Sequence, residues 1–157
     1  MYTITTQFIK GQIPGTTLAD LLDCYQRELQ DQNVSSFSQD QDIIDFHNTN
    51  ATTNIFLDNY GNRFSGFANG HIKIVDNDTE YIVYLKADIS RLFILPGIIS
   101  GLITLFFLIA SGFTPFLLSF GMGIFFIVSA IKYISFSVTF PIYFTKLRND
   151  IENERQL

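Results

Sequence analysis

The stretch LFILPGIISGLITLFFLIASGFTPFLLSFGMGIFFIVSAI, residues 92–131, decides the fold of this chain, because none of its forty side chains carries a charge. As a single helix it would be about 60 Å long, roughly twice the hydrocarbon thickness of a bilayer. Near its middle, glycine and proline flank a short polar segment, SGFTP at residues 111–115. Such residues favour a turn. The sequence therefore predicts a hairpin of two transmembrane helices.

The predicted hairpin occupies residues 92–137, with spans at about 92–110 and 113–135. Each span is close to the roughly 20 apolar residues that a helix needs to cross a bilayer. Beyond it, residues 138–157 are predicted to be an interfacial stretch followed by a polar C-terminal tail. The aromatic residues at 133–145 fit the headgroup zone. They also fit a second helix that continues to Pro141, and the sequence leaves both alternatives open.

Basic residues flank the hairpin on one side only. Lys86 and Arg91 precede the first span, Lys132, Lys146 and Arg148 follow the second, and the turn between the spans has no base. Loops rich in lysine and arginine stay in the cytoplasm. The sequence therefore predicts a multi-pass protein of the cell (inner) membrane with both termini in the cytoplasm. The first ten residues lack the pattern of a signal peptide, which agrees with this orientation.

Small residues mark the faces on which helices can approach closely in lipid. They are Gly97, Ser100 and Gly101 in the first span and Ser119, Gly121 and Gly123 in the second. One interpretation is packing of the two helices within the hairpin. The other is contact with a second copy of the chain or with a partner subunit at the GxxxG motif of the first span.

The spans contain no Asp, Glu, His or Arg, and their one lysine, Lys132, lies at an end. Proton relays, ion pathways and haem ligation need ionisable groups or imidazoles inside the membrane. The hairpin alone is therefore predicted to be an anchor or a packing surface, and no cofactor is expected.

Charge divides the chain where the hairpin begins. Residues 1–91, here called the N-terminal module, carry twelve acidic and six basic side chains, a net charge of −6, whereas residues 92–157 have a net charge of +1. An acidic module repels nucleic acid and anionic lipid headgroups, so neither is predicted to be its ligand. The single cysteine, Cys24, excludes an internal disulfide.

The N-terminal module is predicted to be an α+β domain with one helix on a mainly antiparallel sheet. Alternation predicts a strand over 2–9, and an apolar stripe at helical spacing predicts a helix over 17–31. Residues 33–42 are polar and predicted to be a loop. Further strands are predicted at 43–47, 54–58, 63–68, 71–75 and 80–86, with Asn69-Gly70 as the turn of a hairpin.

Asp42, Asp45 and His47 form the densest group of ligand-type or acid–base side chains. Three such residues can hold a metal or act in catalysis, but their spacing matches no established ligand pattern and a solvated strand face explains them. Cys24 has no basic neighbour in sequence that would activate its thiol. No catalytic, cofactor-binding or metal-binding residue is therefore predicted.

The function that these patterns favour is a non-catalytic accessory or scaffolding subunit. Its lipid anchor is the hairpin, and its acidic module would bind a protein partner or a second copy, with the sheet edges and the strand carrying Tyr81 and Tyr84 as candidate surfaces. The alternative is a membrane-tethered enzyme or a small-ligand or metal sensor that uses Asp42, Asp45 and His47. The sequence identifies neither the biological process nor the partner.

Overall fold

The computed structural model describes residues 1–48, 63–64, 66–111 and 115–156. Five antiparallel strands form one sheet in this part of the chain: β1 (Tyr2–Ile9), β2 (Ser36–Asp40), β3 (Ile43–His47), β4 (Asn69–Asp76) and β5 (Glu80–Ala87). Their order across the sheet is β1-β5-β4-β3-β2. The strand predicted at 54–58 and the tip of the hairpin at 112–114 lie outside the described residues.

The strands have one buried face and one open face. On β5, Tyr81, Val83 and Leu85 are buried, whereas Tyr84 and Lys86 between them are exposed. Side chains of a strand alternate between the two faces of its sheet. The strand predicted at 80–86 is therefore confirmed, and one face of the sheet forms the core.

Helix α1 (Leu18–Asp31) packs on the buried face. Thr17 caps it, because its hydroxyl accepts a hydrogen bond from the Asp20 N–H at 3.2 Å while the Asp20 carboxylate accepts one from the Thr17 N–H at 2.8 Å. These two hydrogen bonds form a capping box. Leu21, Leu22, Cys24, Tyr25 and Leu29 form the buried side of α1.

The predicted turn at Asn69-Gly70 is wrong, because both residues belong to β4. Gly70 lies between Phe46 on β3 and Ala87 on β5. A Cβ atom at Gly70 would come within 2.7 Å of side-chain atoms of both neighbours. The glycine is therefore required by close packing of three strands and not by a positive φ angle.

The prediction of a loop at 33–42 is also wrong for part of its length. Residues 36–40 form the edge strand β2, which pairs with β3 in the register Ser38↔Asp45. A tight turn joins the two strands, with Gln41 at a φ of 50°. The sequence did not predict this strand because its residues are mostly polar. Only Phe37 has an apolar side chain that packs against the core.

Two long helices follow the sheet: α2 (Ile94–Ser111) and α3 (Pro115–Gln156). Helix α3 has 42 residues and is therefore about 63 Å long. It continues through Pro141, although proline offers no N–H to the carbonyl of the preceding turn. Of the two alternatives left open for 133–145, the structure has the continuous helix.

The C-terminal part of α3 lies on the buried face of the sheet. Phe140, Phe144, Leu147 and Ile151 recur every three or four residues and join the same apolar core as the strands and α1. The chain differs here from the interfacial stretch and polar tail predicted for 138–157. The helical spacing of these four residues gives the segment an apolar face that the sheet covers.

An aromatic cluster joins α3 to the sheet. The Phe140 ring lies 4.9 Å from that of Phe67, 5.7 Å from that of Phe64 and 5.9 Å from that of Tyr2, each centroid to centroid. These pairs meet edge to face, the arrangement that ring quadrupoles favour. The sheet and the long helix are thus packed as one core.

Helix α2 and the first part of α3 form an antiparallel pair with an apolar exterior. Both are long and apolar enough to cross a membrane, judged by length and composition. Phe106 and Ile109 on α2 are 68% and 76% exposed, and Phe116 on α3 is 73% exposed. Large side chains of this kind therefore cover the outside of the pair.

Candidate interaction site

Asp42, Asp45 and His47 do not form a common site. Asp45 and His47 lie on the open face of the sheet, where Asp45 is opposite His71. The Asp42 carboxylate lies 3.6 Å from the Lys73 ammonium. Among the described residues, no group of three or more His, Cys, Asp or Glu is arranged to hold a metal ion. The enzyme or sensor that these residues suggested stays a prediction.

Cys24 lies at a polar cleft of about 230 Å³ between α1 and the end of α3. Its sulfur accepts contacts from Arg27 at 3.5 Å and from Arg155 at 3.6 Å. Sequence reasoning missed both arginines, although Arg27 lies one turn further along α1. Arg155 is 131 residues away and reaches the thiol only through the docking of α3. The arrangement ties the end of α3 to α1.

The small residues of the hairpin differ in how closely they are packed. A Cβ atom at Gly101 or Gly123 would meet nothing within 4 Å, and one at Gly97 would touch only the Phe125 ring at 3.9 Å. The closest approach is at Gly121, where a Cβ would lie 2.0 Å from the Thr104 hydroxyl. Of these glycines, Gly121 is therefore the one packed most tightly against the other helix.

Two predicted packing residues, Ser100 and Gly101, line an open groove of about 570 Å³ along the pair. Ser100 is buried, and its hydroxyl donates a hydrogen bond to the carbonyl of Gly97 at 3.2 Å. Ser119 is exposed. Whether Gly97 and Gly101 also contact a second copy or a partner stays a prediction.

Strand β1 forms one edge of the sheet, and its eight residues, YTITTQFI, carry no charge and no proline. The Lys10 N–H donates to the Thr79 carbonyl directly opposite it in the ladder. Backbone groups alternate in direction along an antiparallel strand. The N–H and C=O groups of Thr3, Thr5, Gln7 and Ile9 therefore point away from β5, and we call this row the β1 edge.

The two edges of the sheet differ in length and polarity. Strand β2 has five residues, SFSQD, and ends in Asp40. Proteins protect their sheet edges with short strands, charges and proline, because unprotected edges pair with other chains. By these criteria β2 is a protected edge and β1 is not.

Lys10, just past the end of β1, is paired with Asp76 at 2.6 Å. The hydrogen bond to that carboxylate raises the pKa of Lys10.

The two tyrosines of β5 lie on opposite faces. Tyr84 is on the open face, where it is level with Thr5 of β1 and Lys73 of β4. Tyr81 is buried, and its hydroxyl donates to the carbonyl of Thr16 at 3.0 Å. Of the two, only Tyr84 is available to the surface predicted around this strand.

The protein combines a five-stranded antiparallel sheet, which has helices on one face, with two long apolar helices that follow it. Comparison with protein-family models, with curated proteins and with solved structures found no match.

Proposed function

We propose that the protein is a small membrane-anchored, non-catalytic accessory or scaffolding subunit that binds another protein through the β1 edge. The hairpin lies in the cell (inner) membrane, and the sheet faces the cytoplasm. Three features support this function: the apolar exterior of the hairpin, the helix that joins hairpin and sheet, and the uncharged edge strand.

The exterior of the hairpin supports anchoring in lipid. Soluble monomers rarely expose contiguous apolar patches larger than a few hundred Å². Here exposed large side chains recur on both helices, including Leu102, Phe106 and Ile109 on α2 and Phe126 and Ile127 on α3. A bilayer would cover all of them at once, and no charged side chain between 92 and 131 opposes its insertion.

The long helix α3 supports a scaffolding role. Its first part belongs to the hairpin, and its last part packs in the core beneath the sheet through Phe140 and Phe144. A helix shared by both parts holds the sheet at a fixed position relative to the membrane. A partner bound to that sheet would therefore be held at the membrane surface.

The observation that carries partner binding is the β1 edge. An extended segment of a partner can add to such an edge as another strand, with backbone hydrogen bonds supplying affinity. The outward groups of Thr3, Thr5, Gln7 and Ile9 offer four donors and four acceptors to it. The exposed side chains of Tyr84 and Ile9 provide apolar contact beside them.

Proline at position 5 tests this edge directly. The Thr5 N–H points away from β5, so Thr5→Pro removes an outward donor while the ladder with β5 keeps its hydrogen bonds. Thr5→Val keeps the N–H and is the matched control. A photoreactive side chain at Thr3 would report binding in native membranes, with one at Ser38 on β2 for comparison.

We expect one adduct of constant mass at position 3, retained in Thr5→Val and lost in Thr5→Pro. Circular dichroism must show the same strand content in both variants. An adduct that persists in Thr5→Pro, or that forms equally at Ser38, would contradict binding through the β1 edge. Identification of the adduct by mass spectrometry would then name the partner.

A further inference from the structure

The boundary between the sheet and the hairpin contains an arginine with one buried nitrogen that lacks a hydrogen-bond partner among the described residues. Arg91 lies in the short 3₁₀ turn Ser90–Phe93 that leads into α2. Its Nη1 atom is buried and has no hydrogen-bond acceptor within the described part of the chain. A buried donor left unpaired costs about 1–3 kcal/mol, and a charged one costs more. An acceptor from outside the protein would remove that cost.

Asp88, the nearest carboxylate in sequence, acts on Arg91 through its charge but forms no ion pair with it among the described residues. Asp88 accepts a hydrogen bond from the Ser90 N–H at 2.9 Å and so caps the turn. Other arginines of the described chain do find partners: Arg148 pairs with Glu152 at 2.9 Å, and Arg155 lies 3.7 Å from Asp20. Arg91 differs from them although the N-terminal module has an excess of acids.

A second cation, Lys132, lies near the same end of the hairpin. Gly97 of α2 is level with Phe125 of α3, and Leu92 and Phe136 both lie against Gly66. Lys132 falls between the two contact levels on α3, near the first turn of α2. Its side chain is half-buried and forms no ion pair among the residues described. The two cations thus lie at the end of the hairpin that meets the sheet.

The geometry points to a phosphate-binding site at Arg91 and Lys132, whose ligand is the phosphate of an anionic phospholipid in the cytoplasmic leaflet. This inference rests on the proposed membrane anchoring. Guanidinium groups bind phosphate through several charge-assisted hydrogen bonds. Arg91 is only half-buried, so a headgroup beside the 3₁₀ turn can reach it.

The negative charge of the N-terminal module does not oppose this site. Exposed charges are screened over a Debye length of about 10 Å at ordinary ionic strength. The net charge of −6 is spread over the module, whereas Arg91 and Lys132 are at the lipid boundary. The acidic module can therefore repel lipid as a whole while the cations at its boundary bind a headgroup.

Native mass spectrometry of the full-length protein, released from vesicles of equal phosphatidylglycerol and phosphatidylcholine, tests the site by counting retained lipids. We expect retention of phosphatidylglycerol over phosphatidylcholine. Arg91→Gln and Lys132→Gln should each reduce that preference roughly five-fold, because a base near the surface contributes about 1 kcal/mol. Lys73→Gln, at the Asp42 ion pair, removes the same charge far from the boundary and should have no effect.

A second arm adds inorganic phosphate at millimolar concentration, and unchanged lipid retention would show that the site selects a headgroup. Displacement of the lipid by inorganic phosphate would overturn the assignment to a lipid. Equal retention in wild type and Arg91→Gln would overturn the site itself while leaving anchoring intact. Failure of the protein to enter vesicles at all, seen by flotation, would instead refute the proposed anchoring and this inference with it.

Discussion

Tyr25 on α1 shows how a single residue balances burial against hydrogen bonding. Its side chain is fully buried and its ring lies 5.9 Å from that of Phe144. The hydroxyl has no hydrogen-bond partner among the described residues. Burial raises the pKa of Tyr25 above its ordinary value. The ring thus stabilises the core, while the hydroxyl costs free energy.

We predict that Tyr25→Phe raises the free energy of unfolding by about 1 kcal/mol, since it removes an unpaired polar group without changing the ring. Chemical denaturation in detergent, followed by near-ultraviolet circular dichroism, measures this change. Tyr84→Phe on the open face is the control and should have almost no effect. A loss of stability in Tyr25→Phe would show that the hydroxyl has a partner.

The same variant has a predicted pH dependence. The folded state holds the Tyr25 proton more tightly than the unfolded chain does, because burial raises the pKa of Tyr25. The contribution of this group to wild-type stability is therefore fully present below about pH 10 and decreases as the pH rises further. Tyr25→Phe lacks this group and should lose less stability between pH 10 and 11. Equal losses in both proteins would assign the alkaline sensitivity to other groups.

At the scale of single elements, local sequence patterns predicted the segments that have a regular apolar pattern of their own. Strand β1 has the predicted bounds, and α1 begins one residue after its predicted start. Strand β2 was missed because its sequence is polar, and the first two residues of β4, Asn69 and Gly70, were assigned to a turn. Gly70 resembles a turn residue in sequence, and only the neighbouring Phe46 and Ala87 explain it.

The end of α3 escaped prediction for a similar reason. From the sequence, Phe140 and Phe144 fit the headgroup zone of the membrane, where aromatic residues are also common. Pro141 added to this interpretation by indicating a break. Only the tertiary structure shows that the sheet provides a buried face for these rings.

We predict that Phe140→Ala destabilises the sheet and its helices by about 3–5 kcal/mol, the usual cost of truncating a buried phenylalanine. Its ring contacts Tyr2, Phe64 and Phe67, so the loss affects several partners. Ile142→Ala, two residues further along the same helix, removes a side chain that is 65% exposed. It should change stability far less.

Hydrogen exchange of the β5 amides measures this effect separately from the hairpin. Faster exchange in Phe140→Ala with wild-type exchange in Ile142→Ala is the expected result. Equal protection in all three proteins would mean that α3 does not contribute to the core of the sheet.

At the scale of the whole molecule, the sheet and the hairpin share one helix. The apolar core beneath the sheet takes residues from both ends of the chain, including Phe8 and Leu21 near the start and Leu147 and Ile151 near the end. A small domain buries a modest fraction of its surface and depends on each part of its core. The N-terminal module is therefore incomplete without the last turns of α3.

Truncation tests whether the N-terminal module depends on α3. We predict that residues 1–91 alone do not unfold cooperatively, because the face that α3 covers would be exposed. A chain in which a short flexible linker joins residues 1–92 to residues 136–156 should fold. Leu92 and Phe136 both lie against Gly66, so a short linker can span the gap. A short loop also costs little entropy to close. That chain lacks the apolar hairpin and should dissolve without detergent. Cooperative urea unfolding of the linked chain, and its absence in 1–91, is the expected pair of results. Cooperative unfolding of 1–91 alone would show instead that the N-terminal module is independent and that α3 only rests against it.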